Sequence, residues 1–227
     1  MLKHPDMRYY PIYLDIKGKH CLVVGGGDVG TRKAITLLDC GAHVTVVSPD
    51  ATVQLQQLAE NQTIRWVKRA YVSADLDRMF LVIGATSDQA VNLAISSDAV
   101  RVDKLCNIAD RPEACNFILP SIVRRGDLVI AVSTSGKSPA FAKTLRKELE
   151  GRFGNEYAEF LYLMGKIRDK LLTEKHEPEA HKPIFESLIE KGLIDLIRMN
   201  DIKKIDDMLR DVLGNGFDSA SLLKTDE

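Results

Sequence analysis

The stretch His20-Cys-Leu-Val-Val-Gly-Gly-Gly-Asp-Val-Gly-Thr-Arg-Lys33 governs how the rest of the chain reads. Cys21 to Val24 is an apolar run of strand length. It stops at glycines, and apolar residues at helical spacing (Val29, Ala34, Ile35, Leu37, Leu38) begin at once. Gly25, Gly27 and Gly30 stand in G-x-G-x-x-G register. At such a turn the first glycine permits the tight bend, and the second lets a pyrophosphate approach bare backbone. The third lets the helix sit close on the strand, and the helix N-terminus then offers unbonded N–H groups to the phosphates. A glycine turn alone is a weak signal. Here it follows a strand, opens a helix and precedes a second strand at His43 to Val47, which favours dinucleotide binding over a purely structural turn.

On either side of this stretch, Tyr10 to Leu14 and the Asp15-Ile-Lys-Gly18 turn lead into the first strand, and Gly41 closes the first helix. Ser48-Pro-Asp50 is expected to cap a helix running to Glu60, followed by a strand at Ile64 to Lys68. Phe80 to Gly84 is wholly apolar, as a strand buried on both faces must be. Asp88 caps a helix with its stripe at Ala90, Val91, Ala94 and Ile95, and Leu105 to Asn107 is a fifth strand. Strands alternating with helices in this way give an α/β fold, a Rossmann-type parallel sheet. The rhythm then changes. Phe117 to Pro120, Ser121 to Arg125 and Leu128 to Ser133 read as strands, the last two antiparallel across the turn at 124–127. Helices are expected from Pro139 to Leu149 and Tyr157 to Leu172, then a polar linker from Lys175 to Pro183. Two more amphipathic helices follow, on Phe185, Leu188, Ile189, Leu193 and Leu196, and on Ile202, Ile205, Leu209 and Val212, before a frayed tail after Gly214. The resulting division is residues 1–115, 116–150 and a C-terminal helical domain, 151–227.

A formal charge of −1 and a pI near 6.5 argue against a general nucleic-acid binder. No apolar run is long enough for a membrane span, and Met1 to Asp6 lacks a signal-peptide core, so a cytoplasmic protein is expected. Cys21, Cys40, Cys106 and Cys115 show no C-x-x-C spacing and read as buried, reduced thiols. The histidines (4, 20, 43, 176, 181) form no metal-ligand pattern, with His176 and His181 expected to be solvated in the linker.

The acid that usually ends the second strand and holds the adenosine ribose is replaced by Ser48, with Pro49 and Asp50 next; Asp50 is either its substitute or a helix cap. No arginine follows that strand to hold a 2′-phosphate, which tilts the cofactor toward NAD over NADP. Asp28 either caps the first helix or faces the cofactor, and Thr86 lies at the same carboxyl edge of the sheet. Asp110 emerges there too, and reads either as a turn former ahead of Arg111-Pro112 or as a general base set by partial burial. Ser133-Thr-Ser-Gly-Lys-Ser-Pro139 is a second hydroxyl-rich turn opening a helix. With Arg124, Arg125, Lys143 and Arg146 nearby it suits an anion, or is simply a capped helix with a solvated basic face.

Taken together, Val23-Val-Gly-Gly-Gly-Asp-Val-Gly-x-Arg-Lys33, Asn107-x-x-Asp-x-Pro112 with Asn116 to Ser121, and Val132 to Pro139 resemble the precorrin-2 dehydrogenase family. That family includes free-standing enzymes and the N-terminal module of siroheme synthase. The resemblance covers Tyr9 to Leu172 well and the last helices loosely. It implies NAD-dependent oxidation of precorrin-2 to sirohydrochlorin, with Asp110 as the catalytic acidic residue. Gly25, Gly27, Asp28, Val29, Gly30, Ser48, Pro49, Asp50 and Thr86 are then the cofactor contacts. Asn116, Ser133, Thr134, Gly136, Lys137 and Ser138 are the contacts to the substrate's acetate and propionate rim. It further implies a homodimer through 116–150. Members differ on whether they also insert ferrous iron. Two departures stand out: Gly30 where alanine is usual, and Thr134 where some members carry serine. No methyltransferase module is visible, so making precorrin-2 is expected to fall to another protein. An NAD-sensing module without turnover, or a degenerate member acting as an assembly partner, is the alternative.

Overall fold

Why the first half folds as it does follows from a period of two. In the computed structural model, which describes residues 8–173 and 178–222, β1 (His20–Val24), β2 (His43–Val47), β3 (Arg65–Val67), β4 (Leu81–Gly84) and β5 (Leu105–Ile108) form one parallel sheet, ordered β3-β2-β1-β4-β5. Cys21, Val23, Val44, Val46, Leu81 and Ile83 pack on one face with Ala34 and Leu37 of α1 (Asp28–Asp39) and Leu55 of α2 (Val53–Glu60). Leu22, Val24, Val82, Cys106 and Ile108 pack on the other with Ile95 and Ala99 of α3 (Gln89–Arg101). Both faces are covered, which is why these strands read as unbroken apolar runs. Each fully buried leucine or isoleucine contributes about 1.5–3 kcal/mol. The chain leaves β1 toward β2 and β3, then returns to β4 on β1's other side, so the winding reverses between β1 and β4. Ligands of open α/β sheets bind at the carboxyl ends beside such a reversal.

Phe117 to Pro120, expected as a strand, is not one. The edge of β5 is covered instead by side chains: Asn116 Oδ1 accepts from Cys106 N at 2.7 Å, and Cys115 Sγ accepts from Ile108 N at 3.1 Å. Asn107 Nδ2 donates to Phe117 O at 3.0 Å, which holds the outgoing segment without strand pairing. This satisfies N–H groups that an open edge would expose. Helix α2 begins after the cap Thr52, whose hydroxyl accepts from Leu55 N, so neither Ser48 nor Asp50 is its cap.

The chain divides into two compact units, 1–119 and 120–227. In the second, β6 (Ser121–Arg125) and β7 (Leu128–Val132) pair antiparallel across Gly126-Asp127, with Gly126 at φ +56°. This hairpin packs on α4 (Pro139–Arg152) and α5 (Glu156–Thr173), so 116–150 is not a unit of its own here. The rest is helical: α6 (Pro178–Glu190), α7 (Leu193–Arg198), α8 (Ile202–Leu213) and α9 (Ser219–Leu222). Phe160, Leu163, Ile167, Leu171, Leu188, Leu193 and Leu209 form its core. Three expectations change. The linker is helical from Pro178, with Pro183 inside α6, because Ile184, Phe185 and Leu188 dock on that core. His181 is buried against the Phe185 ring and is not solvated. The tail past Gly214 is docked through buried Phe217 and Leu222. Residues 1–7, 174–177 and 223–227, with His4, His176 and the expected lack of a leader, lie outside the described residues. All four cysteines are free, but Cys40 is exposed and Cys115 only half-buried.

Candidate functional site

The glycine turn is locked by its neighbours. Gly25 has φ +114°, and a Cβ there would stand 2.5 Å from Ala85 O. One on Gly30 would stand 1.9 Å from Gly25 O, so a side chain as small as alanine's is excluded once α1 lies this close. On the other side, a Cβ on Gly26 would meet Asp50 O at 2.2 Å, and Thr52 N donates to Gly26 O at 2.9 Å. Ser48 is buried, and its hydroxyl accepts from Gly26 N at 3.0 Å. The serine that replaces the usual acid therefore braces the turn from below.

Gly27 differs. It precedes α1 with ordinary extended backbone (φ −77°), and a Cβ there would meet nothing within 4 Å. No side chain caps α1 at this residue. The amides of Asp28, Val29 and Gly30 thus begin the helix beside open space, a cradle that a Cβ at Gly27 would partly fill. A pyrophosphate fits that cradle, since helix N-termini bind anions through such amides. Asp28, Pro49 and Asp50 are exposed around it, and Val29 is half-buried. Thr86, half-buried after β4, accepts from Asp88 N through its hydroxyl at 3.1 Å, while its carbonyl accepts from Asn92 Nδ2 at 2.9 Å.

Asp110 follows β5 at the same edge. Ala109 N donates to Gly84 O at 2.8 Å, tying this loop to β4, and Asp110 itself is in left-handed backbone, φ +60°. Its side chain is exposed. Sequence reasoning missed its electrostatic partner, Lys33 of α1. Burial lowers the Lys33 pKa, Arg32 lowers it further, and Asp110 pulls it back up. The signal was in the quoted stretch, but nothing in its spacing says that α1 crosses toward the end of β5. Asn116 is engaged along the β5 edge. Both ends of its amide are used on β5, Oδ1 by Cys106 N and Nδ2 by Lys104 O at 2.8 Å.

The second turn lies in the other unit and is self-satisfied. Ser133 Oγ accepts from Ser135 N at 3.1 Å, Thr134 Oγ1 from Ser138 N at 3.2 Å, and Ser138 Oγ caps α4 by accepting from Phe141 N at 3.2 Å. Ser135 and Gly136 both have positive φ, 52° and 78°. Gly136 and Lys137 are exposed. Of the four basic residues expected nearby, Arg125 donates to Glu150 O at 3.1 Å and Arg146 pairs with Glu150, while Arg124 and Lys143 are exposed.

Comparison with known proteins bears on these features directly. A family model described as putative NAD(P)-binding matches residues 12–121, and one described as sirohaem biosynthesis protein central matches residues 125–152. The solved structure of SirC, precorrin-2 dehydrogenase, superposes with a TM-score of 0.77 at 27% identity, covering 90% of this chain and 98% of that one.

The chain is similar to a precorrin-2 dehydrogenase along nearly the whole of that protein.

Siroheme synthase from Photobacterium profundum is 37% identical over 191 residues, 84% of this chain and 41% of that protein. Siroheme synthase 1 from Serratia proteamaculans is 39% identical over 165 residues, 73% of this chain and 35% of that protein. The chain thus spans 35–41% of the length of these relatives. The glycine turn and Asp110 fall in the NAD(P)-binding match, and Ser133 to Ser138 in the central one. Among the described residues, no helix is long and apolar enough to cross a membrane.

Proposed function

We propose that this chain oxidises precorrin-2 to sirohydrochlorin with NAD as acceptor. The observation that carries the reading is the pairing, at one sheet edge, of an open amide cradle at Gly27 with an exposed carboxylate, Asp110, in left-handed backbone. Strained backbone under a polar side chain is characteristic of functional positions. The likeness to SirC over nearly all of that protein's length supports the substrate. The cofactor supplies a two-electron acceptor when bound. The backbone of Gly25, Gly27, Asp28, Val29 and Gly30 holds its pyrophosphate, with Ser48 bracing the turn. Pro49 and Asp50 would hold the adenosine ribose, and Thr86 would contact the nicotinamide half. The bound cofactor would take the hydride, and Asp110 would take the accompanying proton, so two electrons and the proton are both accounted for. Ser133, Thr134, Gly136, Lys137 and Ser138 receive the carboxylate rim through the exposed charge of Lys137 and the edge of the turn. Asn116 is assigned instead to holding β5.

The same base could serve iron insertion, a second activity that the assay below tests, because metalation of sirohydrochlorin requires that two pyrrole N–H protons be taken. Exposed Leu119, Ile122 and Phe141 suit a homodimer through 116–150, which light scattering of the purified protein tests. Free thiols suit the reducing cytoplasm.

The test is anaerobic incubation with precorrin-2 and NAD, following NADH and sirohydrochlorin absorbance, and then adding ferrous iron. Sirohydrochlorin formed only with NAD is the expected result; NAD bound without turnover ends the dehydrogenase reading in favour of a sensing module. In folded Asp110→Asn, kcat is expected to fall about a hundredfold or more. An undiminished rate removes Asp110 as the base.

A further inference from the structure

Asp110 is third in the turn that closes β5: Arg111 N donates to Ile108 O at 3.3 Å, and Asp110 has φ +60°. Aspartate tolerates this backbone better than most residues, but the turn still needs its neighbours to hold it in place. The surroundings are chiefly one side chain. Cys115 Sγ accepts from Ile108 N at 3.1 Å, and lies 3.1 Å from Arg111 O and 3.4 Å from Ile108 O, either of which can take its single S–H. One sulfur therefore grips both ends of the turn.

We propose that Cys115 is a positioning residue for the reaction, its thiol clamping Ile108 to Arg111 so that the Asp110 carboxylate is held in one place. This rests on the assignment of Asp110 as the base. Three further observations support it. Burial raises the Cys115 pKa, with the bond from Ile108 lowering it and Glu113 raising it, so the sulfur keeps the proton it needs to donate. Ala109 N, bonded to Gly84 O, anchors a further amide of the turn to β4. Cys115 forms no disulfide, and beside the turn its sulfur accepts only a longer bond, from Asn107 Nδ2 at 3.6 Å.

The test uses Cys115→Val, which keeps the volume and removes the sulfur's hydrogen bonds, and Cys115→Ser, which keeps a donor and an acceptor. Steady-state kcat and KM, NAD affinity and the exchange rate of the Ile108 amide are measured together. Expected for Cys115→Val is a kcat lower by roughly tenfold to a hundredfold, since misplacement by about 1 Å has that effect. NAD affinity stays unchanged, the Ile108 amide exchanges faster, and Cys115→Ser recovers most of the rate. A merely structural thiol would lower the folded fraction while leaving kcat per NAD site intact; that result overturns the proposal. Should Cys115→Val lose NAD binding, Cys115→Ala is read in its place by the same criteria. If the wild type fails to oxidise precorrin-2, the functional assignment falls separately. Ile108 exchange then decides the clamp, faster in Cys115→Val upholding it and unchanged overturning it.

Discussion

Two strand–turn–helix junctions in this chain use the same ingredients to opposite ends. Between β1 and α1, glycine is required for close packing, no side chain caps the helix, and amides begin beside open space at Gly27. Between β7 and α4, three hydroxyls satisfy the local amides, Ser138 caps the helix, and a Cβ on Gly136 would meet nothing within 4 Å. The first junction leaves its hydrogen-bonding capacity for a ligand. The second has spent much of its own, and what it offers an anion is side-chain charge such as Lys137. Two turns that look alike in composition thus differ in which groups remain to bind.

Substitutions test the contrast. Gly30→Val is expected to have the largest effect, because its Cβ would stand 1.9 Å from backbone. NAD binding and the thermal transition should both collapse, and a variant that still bound NAD normally would contradict this account of the turn. Gly27→Val separates binding from folding. Its backbone is ordinary and its Cβ direction is open, so the melting temperature should hold while NAD affinity, read by calorimetry, falls by roughly tenfold or more, about 1.4 kcal/mol. Equal affinity would mean that the cradle is not where the pyrophosphate sits. Gly136→Ala has space but a φ of +78°, so a loss of about 1–2 kcal/mol in denaturant unfolding is expected, with NAD affinity untouched.

The smallest effect is a titration. Burial and Arg32 depress the Lys33 ammonium pKa, and Asp110 partly restores it. Neutralising that carboxylate in Asp110→Asn removes the only one of these influences that raises the value. Lys33 should therefore titrate at lower pH, by NMR of its side chain. An upward shift would show that the charges do not meet across the end of β5.

How much of this was legible in the sequence varies with the range of the interaction. The glycine turn, the five parallel strands and the hairpin around Gly126-Asp127 were readable because each is set by residues within a few positions. Pro183 misled, since the penalty of a proline one turn into α6 is local while the docking of Ile184 and Leu188 is not. Phe117 to Pro120 misled for the same reason. Its composition is that of a strand, but the edge of β5 was already taken by Asn116 and Cys115. At the site, Gly25, Gly27, Gly30 and Asp110 were identifiable, whereas the bracing role of Ser48 and the charge of Lys33 beside Asp110 were not.

What could be read without any fold in hand was the kind of chemistry: a dinucleotide turn, a carboxylate at the end of β5, and a hydroxyl-rich turn opening α4. These depend on backbone freedom and side-chain type, which are written residue by residue. Which polar groups are already engaged became visible only in the folded chain. Asn116 and Ser138 are bonded to backbone, Cys115 grips the Asp110 loop, and the space over Gly27 is open. A hydrogen bond made to one partner is withheld from another, and which partner it meets is settled only when distant segments come together.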